Sequence, residues 1–136
     1  MSIKDITTLR DVRPEDLPYI YSTIMPSSWL GNPFFKRIKR EIFFPNYRVV
    51  IDSIINNPST SIRVACFNED ENLILGYSIS CFDVLHYVYV KGAYRKQGLG
   101  KSLLPKVINK ISHYTTMGDY LDINAELDPF IIAKDF

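Results

Sequence analysis

The sequence predicts one α/β domain in which a mixed, mostly antiparallel β-sheet is flanked by helices. Three observations indicate this fold class. Apolar residues recur with helical spacing in the first half of the chain, and β-rich runs surround a turn in the second half. A further strand then leads through a glycine-containing loop into another helix. The 136 residues, 46% of them apolar, are enough to bury the core of one domain.

The first strand, Ile6–Arg10, is followed by a helix that begins at Arg13-Pro14, where proline is tolerated in the first turn. Its apolar positions repeat at i, i+3, i+4 and i+7: Leu17, Ile20, Tyr21 and Ile24. The run Pro26-Ser27-Ser28 is expected to end this helix.

A basic segment follows the next proline. Phe34–Phe44 begins after Asn32-Pro33, Pro45 is expected to break it, and Asn46–Asn56 predicts a further helix. The basic residues here alternate with aromatic and apolar ones: Lys36, Arg37, Lys39, Arg40 and Arg48. Such a pattern could bind nucleic acid through phosphates and stacking, or it could be the solvated face of an amphipathic helix. Both interpretations stay open.

The second half begins with strands. Ser61–Phe67 and Leu73–Phe82 predict a hairpin around residues 68–72, and Val84–Val90 predicts the next strand. Strict alternation divides this strand into one face with Val84, His86, Val88 and Val90 and another with Leu85, Tyr87 and Tyr89. We expect Tyr87 and Tyr89 to pack against helices.

The hairpin also constrains the two cysteines. Cys66 should lie opposite residue 74 and Cys81 opposite residue 59, so the thiols are about 20 Å apart. A disulfide requires Cα atoms within about 7 Å. We therefore predict reduced core cysteines, as in a cytoplasmic protein. Residues 1–10 lack the apolar segment of a signal peptide, and the net charge of +1 gives no general attraction to a membrane.

The last part of the chain is predicted to begin with a helix over Leu99–Ile111, mildly kinked at Pro105. A short strand at His113–Thr116, a short helix at Asp119–Leu127 and a final strand at Pro129–Ala133 are expected to follow.

The loop Arg95–Lys101 has the properties of an anion site. Its glycines let the backbone approach a phosphate, the N–H groups of the following helix start favour negative charge, and Arg95, Lys96 and Lys101 add cations. The spacing is not that of a Walker loop, because Lys101 follows Gly98 too soon. It is not a dinucleotide fingerprint either, because Leu103 occupies the third glycine position.

A family resemblance rests on these residues. Val88-Tyr89-Val90-x4-Arg95-x-x-Gly98-x-Gly100, continued by Lys101-Ser102-Leu103-Leu104, resembles motif A of the GNAT superfamily of N-acetyltransferases. The order of the preceding elements also fits, although Gly92 stands where the family usually has proline. The resemblance implies that residues 1–136 form one GNAT-like acyl-CoA-binding domain of a short, C-terminally truncated member. Its acceptor pocket would be shortened or completed by another subunit, as in a homodimer.

The resemblance also implies roles for individual residues. Acetyl-CoA would be the cosubstrate, with its pantetheine arm along Val88 and Val90, the Val88 N–H near the thioester carbonyl, and its pyrophosphate on the loop. The implied cosubstrate-binding residues are Val88, Tyr89, Val90, Arg95, Lys96, Gln97, Gly98, Leu99, Gly100 and Lys101.

The activity implied is direct acetyl transfer to an unidentified primary amine on a small molecule, a peptide or a nucleic acid. Proton transfer is expected from His113, Tyr120 or His86, and two histidines are too few to indicate a metal site. Two alternatives remain: a GNAT-like module that binds CoA or another macromolecule without turnover, and acyl-CoA-dependent modification of a nucleic-acid base.

Overall fold

A computed structural model describes residues 2–112 and 125–128 of the chain. Its centre is a six-stranded sheet whose strands lie side by side in chain order. They are β1 (Thr7–Asp11), β2 (Ser61–Phe67), β3 (Asp70–Cys81), β4 (Val84–Val90), β5 (Lys110–Ile111) and β6 (Glu126–Leu127). The first four strands are antiparallel, and β5 and β6 are added in parallel. The predicted mixed, mostly antiparallel sheet is therefore confirmed.

Helices cover both faces of this sheet. The long helices α1 (Leu17–Leu30) and α2 (Arg40–Ile55) enclose the larger core with the strand residues Val64, Tyr77 and Ile79. The short helix α3 (Leu99–Leu103) lies on the opposite face, in a smaller core of Ile3, Ala65, Leu75, Val90, Leu99 and Leu103. Short 3₁₀ helices occupy Ile3–Ile6, Pro14–Asp16, Phe35–Arg37 and Gly92–Tyr94.

Two prolines expected to end helices lie inside them. Pro26 is within α1 and Pro45 is within α2, so the predicted end at Pro26 and the predicted break at Pro45 are both wrong. A proline removes one helical hydrogen bond. The apolar faces of the two helices continue past these positions, with Ser28 of α1 and Tyr47 of α2 buried. Packing of the whole amphipathic face therefore outweighs the local loss.

Helix α3 is much shorter than predicted. Leu104 already has an extended backbone, with ψ 145°, because a residue that precedes a proline disfavours the helical region. Pro105 therefore ends the helix instead of kinking it. Lys110–Ile111, expected in the same helix, is the parallel strand β5, and Glu126–Leu127, expected in a short helix, is strand β6. The predicted strands at residues 113–116 and 129–133 lie outside the described residues.

A β-bulge in β4 breaks the predicted alternation of side chains. Ile79 of β3 lies opposite Tyr87, while the next residue, Ser80, lies opposite Leu85, so His86 is an extra residue in β4. His86 consequently lines a small internal void together with Ile24, Tyr47, Ile51, Ile54, Ile79 and Tyr87. It faces α1 and α2, and the prediction that it shares a face with Val88 is wrong.

The hairpin register agrees with the prediction at Cys66, while the pairs from Ser61 to Ala65 are shifted by one residue because bulges flank Cys66. Cys66 pairs with Ile74, as predicted, and Cys81 is far from it at the other end of β3. Both thiols are buried and no disulfide joins them. The burial of both cysteines and their separation along the sheet are as predicted, and their reduced state stays a prediction.

Candidate functional site

The edge of β4 that faces away from β3 is paired only at the start of the strand, within residues 2–112 and 125–128. The backbone N–H of Lys91 donates to Leu75 of β3 over 2.8 Å. Since backbone groups alternate in direction along an antiparallel strand, Val88 and Val90 direct theirs to the opposite edge. On that edge β5 pairs only with Val84 and Leu85 in the described part of the chain. In the described part of the chain, no strand therefore pairs with the edge of β4 at Val88 and Val90.

The chain turns at the end of β4 so that the next loop lies beside this edge. After the 3₁₀ turn Gly92–Tyr94, the Nε of Arg95 donates to the Val90 carbonyl over 2.6 Å. The same guanidinium lies 5.8 Å from the centre of the Tyr89 ring. Arg95 therefore fixes the start of the loop against the end of β4, a role that is visible only in the fold.

The loop presents a row of backbone N–H groups. Lys96 and Gly98 have left-handed backbones, with φ of 65° and 87°. Among the described residues, no group accepts a hydrogen bond from the N–H of residues 97–101. These groups precede and begin α3, where N–H groups lack helical partners and favour an anion. Arg95, Lys96 and Lys101 are exposed, and residues 92–104 include no Asp or Glu.

Helix α3 is held on the sheet by two small residues of β3. A Cβ added at Gly76 would lie 2.6 Å from the Tyr89 carbonyl oxygen and 3.3 Å from Cδ1 of Leu103, so only glycine allows this approach. The buried hydroxyl of Ser78 donates to the Leu103 carbonyl over 2.7 Å. A helix of five residues is not stable alone. The sheet therefore sets the position of α3 and of the loop before it.

One residue near the loop carries no signal in the sequence. Ile3 is buried against α3 in the same core cluster as Leu99 and Leu103. The next residue, Lys4, is exposed, and its Cε lies 3.7 Å from the position of a Cβ added at Gly98. The contact joins the beginning of the chain to a loop near its end, so no local pattern could predict it.

His86, the bulged residue, is buried with 2% of its surface exposed. Its Nδ1 lies 2.6 Å from the hydroxyl oxygen of Ser112, which follows β5. Burial lowers the pKa of His86 to about 4, so the imidazole is neutral at pH 7. The other two predicted proton-transfer residues, His113 and Tyr120, lie outside the described residues.

Tyrosines surround β4 on the side of α1. The ring centre of Tyr19 lies 6.4 Å from that of Tyr89 and 6.5 Å from that of Tyr77. Burial raises the pKa of Tyr19 to about 12, so its hydroxyl stays protonated at neutral pH. Tyr87 and Tyr89 pack against the helices, as predicted.

The basic residues of the first half gather around the start of α2. Arg40 lies over the Phe44 ring at 4.5 Å and Arg48 over the Tyr21 ring at 4.0 Å. These residues line a groove of about 870 Å³ between α1 and α2. Phe34, in the connection before α2, is 75% exposed. The basic and aromatic side chains are thus accessible to a partner.

Within residues 2–112 and 125–128, no group of three or more His, Cys, Asp or Glu side chains could hold a metal ion. No helix in this part of the chain has both the length and the apolar character required to cross a membrane.

The mixed, mostly antiparallel sheet, its strand order and the loop between β4 and α3 match the GNAT fold, as predicted. A protein from Pyrococcus furiosus, provisionally assigned as an acetyl transferase, superposes with a TM-score of 0.65. It is 16% identical, and the match covers 90% of this chain and 94% of that one. At this identity, the likeness establishes the fold.

Two further solved structures share this architecture. A possible acetyltransferase from Clostridium difficile 630 has a TM-score of 0.52 and 13% identity, over 90% of this chain and 93% of its own. A protein from Corynebacterium glutamicum ATCC 13032, described as histone acetyltransferase HPA2 and related acetyltransferase, has a TM-score of 0.52 and 19% identity. That match covers 72% of this chain and 67% of the other. No protein-family model and no curated protein matches the sequence.

Proposed function

We propose that the chain is an acetyl-CoA-dependent N-acetyltransferase that transfers the acetyl group directly to a primary amine. One observation carries the proposal. The edge of Val88 and Val90, with which no described strand pairs, leads into a loop whose N–H groups, at residues 97–101, have no acceptor among the described residues. A ligand with amides at one end and phosphates at the other matches that succession.

The residues fit this cosubstrate group by group. Val88 and Val90 would hydrogen-bond the amides of the pantetheine arm, which would lie beside β4 like an added strand. The N–H groups of residues 97–101 would hold the pyrophosphate, with Lys96 and Lys101 supplying charge. The Val90 carbonyl is already used by Arg95, so the amide nearest the loop would be bound without it.

The bound cosubstrate supplies an activated thioester, and the chain's own groups would supply orientation and charge stabilisation. The Val88 N–H points away from β3, just after the bulge at His86. A fixed N–H there would stabilise negative charge on the thioester oxygen as the amine attacks. The bulge would therefore direct the donor, while the tyrosines of the α1 side would exclude water.

Proton transfer is the part assigned to particular side chains. We propose His113 as the base for the attacking amine and Tyr120 as the acid for the departing thiolate. His86 is the third candidate. Its low pKa makes it a weak base, so a role in positioning through Ser112 suits it better than proton abstraction.

Calorimetric titration with acetyl-CoA tests the binding half. Lys101→Glu should weaken binding at least about tenfold, because it places a carboxylate beside the phosphates. Lys106→Glu is the matched control, since Lys106 is also exposed and lies beyond α3. Absence of binding to the parent protein at about 1 mM ligand would remove the proposal. Equal affinities for the two variants would remove its assignment to this loop.

Turnover needs a separate measurement. Release of the CoA thiol should be followed with amines, peptides and DNA as acceptors. His113→Gln and Tyr120→Phe should each lower kcat by about 100-fold or more while the affinity for acetyl-CoA stays unchanged. Tight binding with no thiol release from any acceptor would instead favour a CoA-binding module without turnover.

A nucleic-acid acceptor is the second candidate. The observation that favours it is the exposed Phe34 beside a run of exposed cations, Lys36, Arg37, Lys39 and Arg40. Reversing these four charges should abolish a salt-dependent affinity for single-stranded DNA. If the parent protein has no such affinity, this acceptor class is eliminated.

A further inference from the structure

We propose that Lys4 is a phosphate-binding residue of the cosubstrate site, contributed to the loop by the N-terminal segment. The inference rests on the proposed function, since the phosphates are those of acetyl-CoA. It adds a residue that lies outside the motif and that no sequence pattern connects to it.

The N-terminal segment is fixed firmly enough to place a side chain. Ile3 is 5% exposed and packs with Leu99 and Leu103 of α3. Asp5 accepts hydrogen bonds from the N–H and the hydroxyl of Ser2, over 3.0 and 3.1 Å. The segment is therefore anchored below α3 and closed by its own capping contacts.

The opposite end of the segment is bonded to the hairpin between β2 and β3. The side-chain amide of Asn68 donates to the Asp5 carbonyl over 2.8 Å, and the Asn68 N–H donates to the Ile6 carbonyl over 2.8 Å. Lys4 thus extends from a backbone that is held on both sides. Its position beside Gly98 is a property of the fold and not of a mobile end.

The geometry brings the side chain of Lys4 to the loop. Cε lies 3.7 Å from the Cβ position of Gly98, and Nζ is one bond further. In the described part of the chain no carboxylate lies within ion-pair distance of Lys4, while the nearby Asp5 caps Ser2. Lys4 therefore adds a fourth cation to Arg95, Lys96 and Lys101.

Four basic side chains lie at or beside this loop, and residues 92–104 include no Asp or Glu, so the loop suits a ligand with several negative charges. Acetyl-CoA is such a ligand, since it carries a pyrophosphate and a separate phosphomonoester on its ribose. Lys4 lies beside the loop, so either group is a candidate for its contact. The shared chemistry is a phosphate oxygen, and the two sources are separated by experiment.

The test is a calorimetric series at Lys4 with acetyl-CoA as ligand. Lys4→Arg should keep the affinity within about twofold, Lys4→Ala should weaken it about 5- to 10-fold, and Lys4→Glu should weaken it further. Tenfold corresponds to about 1.4 kcal/mol. Lys106→Ala, which removes an exposed lysine elsewhere, should have no effect. Equal affinities of the parent and the Ala and Glu variants would overturn the assignment.

Salt dependence and a second ligand show whether Lys4 acts through its charge and which phosphate it contacts. The penalty of Lys4→Ala should shrink between about 0.1 and 1 M salt, because the screening length falls from about 10 to 3 Å. A penalty that vanishes with 3′-dephospho-CoA assigns Lys4 to the ribose phosphate, and one that persists assigns it to the pyrophosphate. A penalty independent of salt, with a lowered Tm, would mean a purely structural role and would overturn the proposal.

The two proposals fail differently. A parent protein that does not bind acetyl-CoA refutes both. A parent that binds, with binding lost in Lys101→Glu but unchanged in Lys4→Glu, keeps the proposed function and refutes the role of Lys4.

Discussion

Ser78→Ala tests whether β3 positions the loop through α3. The substitution removes a hydroxyl that donates to the Leu103 carbonyl over 2.7 Å, and no other described group donates to that oxygen. The carbonyl stays at the buried end of the helix without a partner. Leaving such a group unsatisfied costs about 1 to 3 kcal/mol.

That cost translates into a measurable change in Tm. Unfolding entropy is about 2.1 cal/mol/K per residue, so this chain of 136 residues should lose about 3.5 °C per kcal/mol. Ser78→Ala should therefore lower Tm by about 3 to 10 °C in a thermal unfolding experiment. The affinity for acetyl-CoA should fall as well, because a loosened α3 no longer fixes the N–H groups before it.

Ser80→Ala is the matched control. Ser80 lies on the same strand and face and is also buried, and its hydroxyl makes no hydrogen bond to another described residue. Its loss should change Tm by about 2 °C or less. Tm values for the two variants within 1 °C of each other would refute the argument that the Ser78 hydrogen bond holds the helix.

Three further outcomes follow from particular residues. Gly98→Ala should cost about 1 to 2 kcal/mol in urea denaturation because φ is 87°, whereas Gly92→Ala, whose Cβ would meet nothing within 4 Å, should be nearly neutral. Gly76→Ala should cost at least about 2 kcal/mol, because its Cβ would lie 2.6 Å from the Tyr89 carbonyl oxygen. The folded-state pKa of His86, about 4, is below its unfolded value of about 6.5. Its contribution to the free energy of unfolding is therefore fully present above pH 6.5 and is lost as the pH falls from 6.5 to 4. In urea titrations at several pH values, the free energy of unfolding should fall less between pH 6.5 and 4 in His86→Asn than in the parent protein.

Local patterns were sufficient for the sheet and the loop. A turn centred near residue 70 predicts that Cys66 lies opposite residue 74, and the structure has this pair, although bulges shift the register on both sides of it. The sequence from Val88 to Gly100 likewise indicated a strand, a turn and a helix start in that order. These features depend on neighbouring residues, which is why one sequence can reveal them.

The errors share a tertiary cause. Pro26 and Pro45 break a local rule, but the apolar faces on either side of them are buried, and no local pattern reports that gain. The bulge at His86 needs the partner strand to be seen, since only the pairing with Ile79 and Ser80 reveals an extra residue. The sequence predicts only a mild kink at Pro105, but the residue before it has an extended backbone and the helix ends there.

The sequence predicts the candidate site only in part. The loop residues followed from charge, glycine spacing and resemblance, whereas the placement of Lys4 depends on folding the first residues under α3. The proton-transfer residues His113 and Tyr120 remain predictions, to be tested by the variants described above.

The unequal cores on the two faces of the sheet imply unequal resistance to local opening. The α1 and α2 face is sealed by a broad aromatic and aliphatic cluster, while the α3 face depends on a few side chains around Leu99 and Leu103. Amide hydrogens near α3 should therefore exchange with solvent through small fluctuations, and those under α1 only through global unfolding. A ligand bound at the loop would stabilise the less stable α3 face. Binding should therefore slow the exchange of amide hydrogens near α3 and leave the exchange under α1 unchanged.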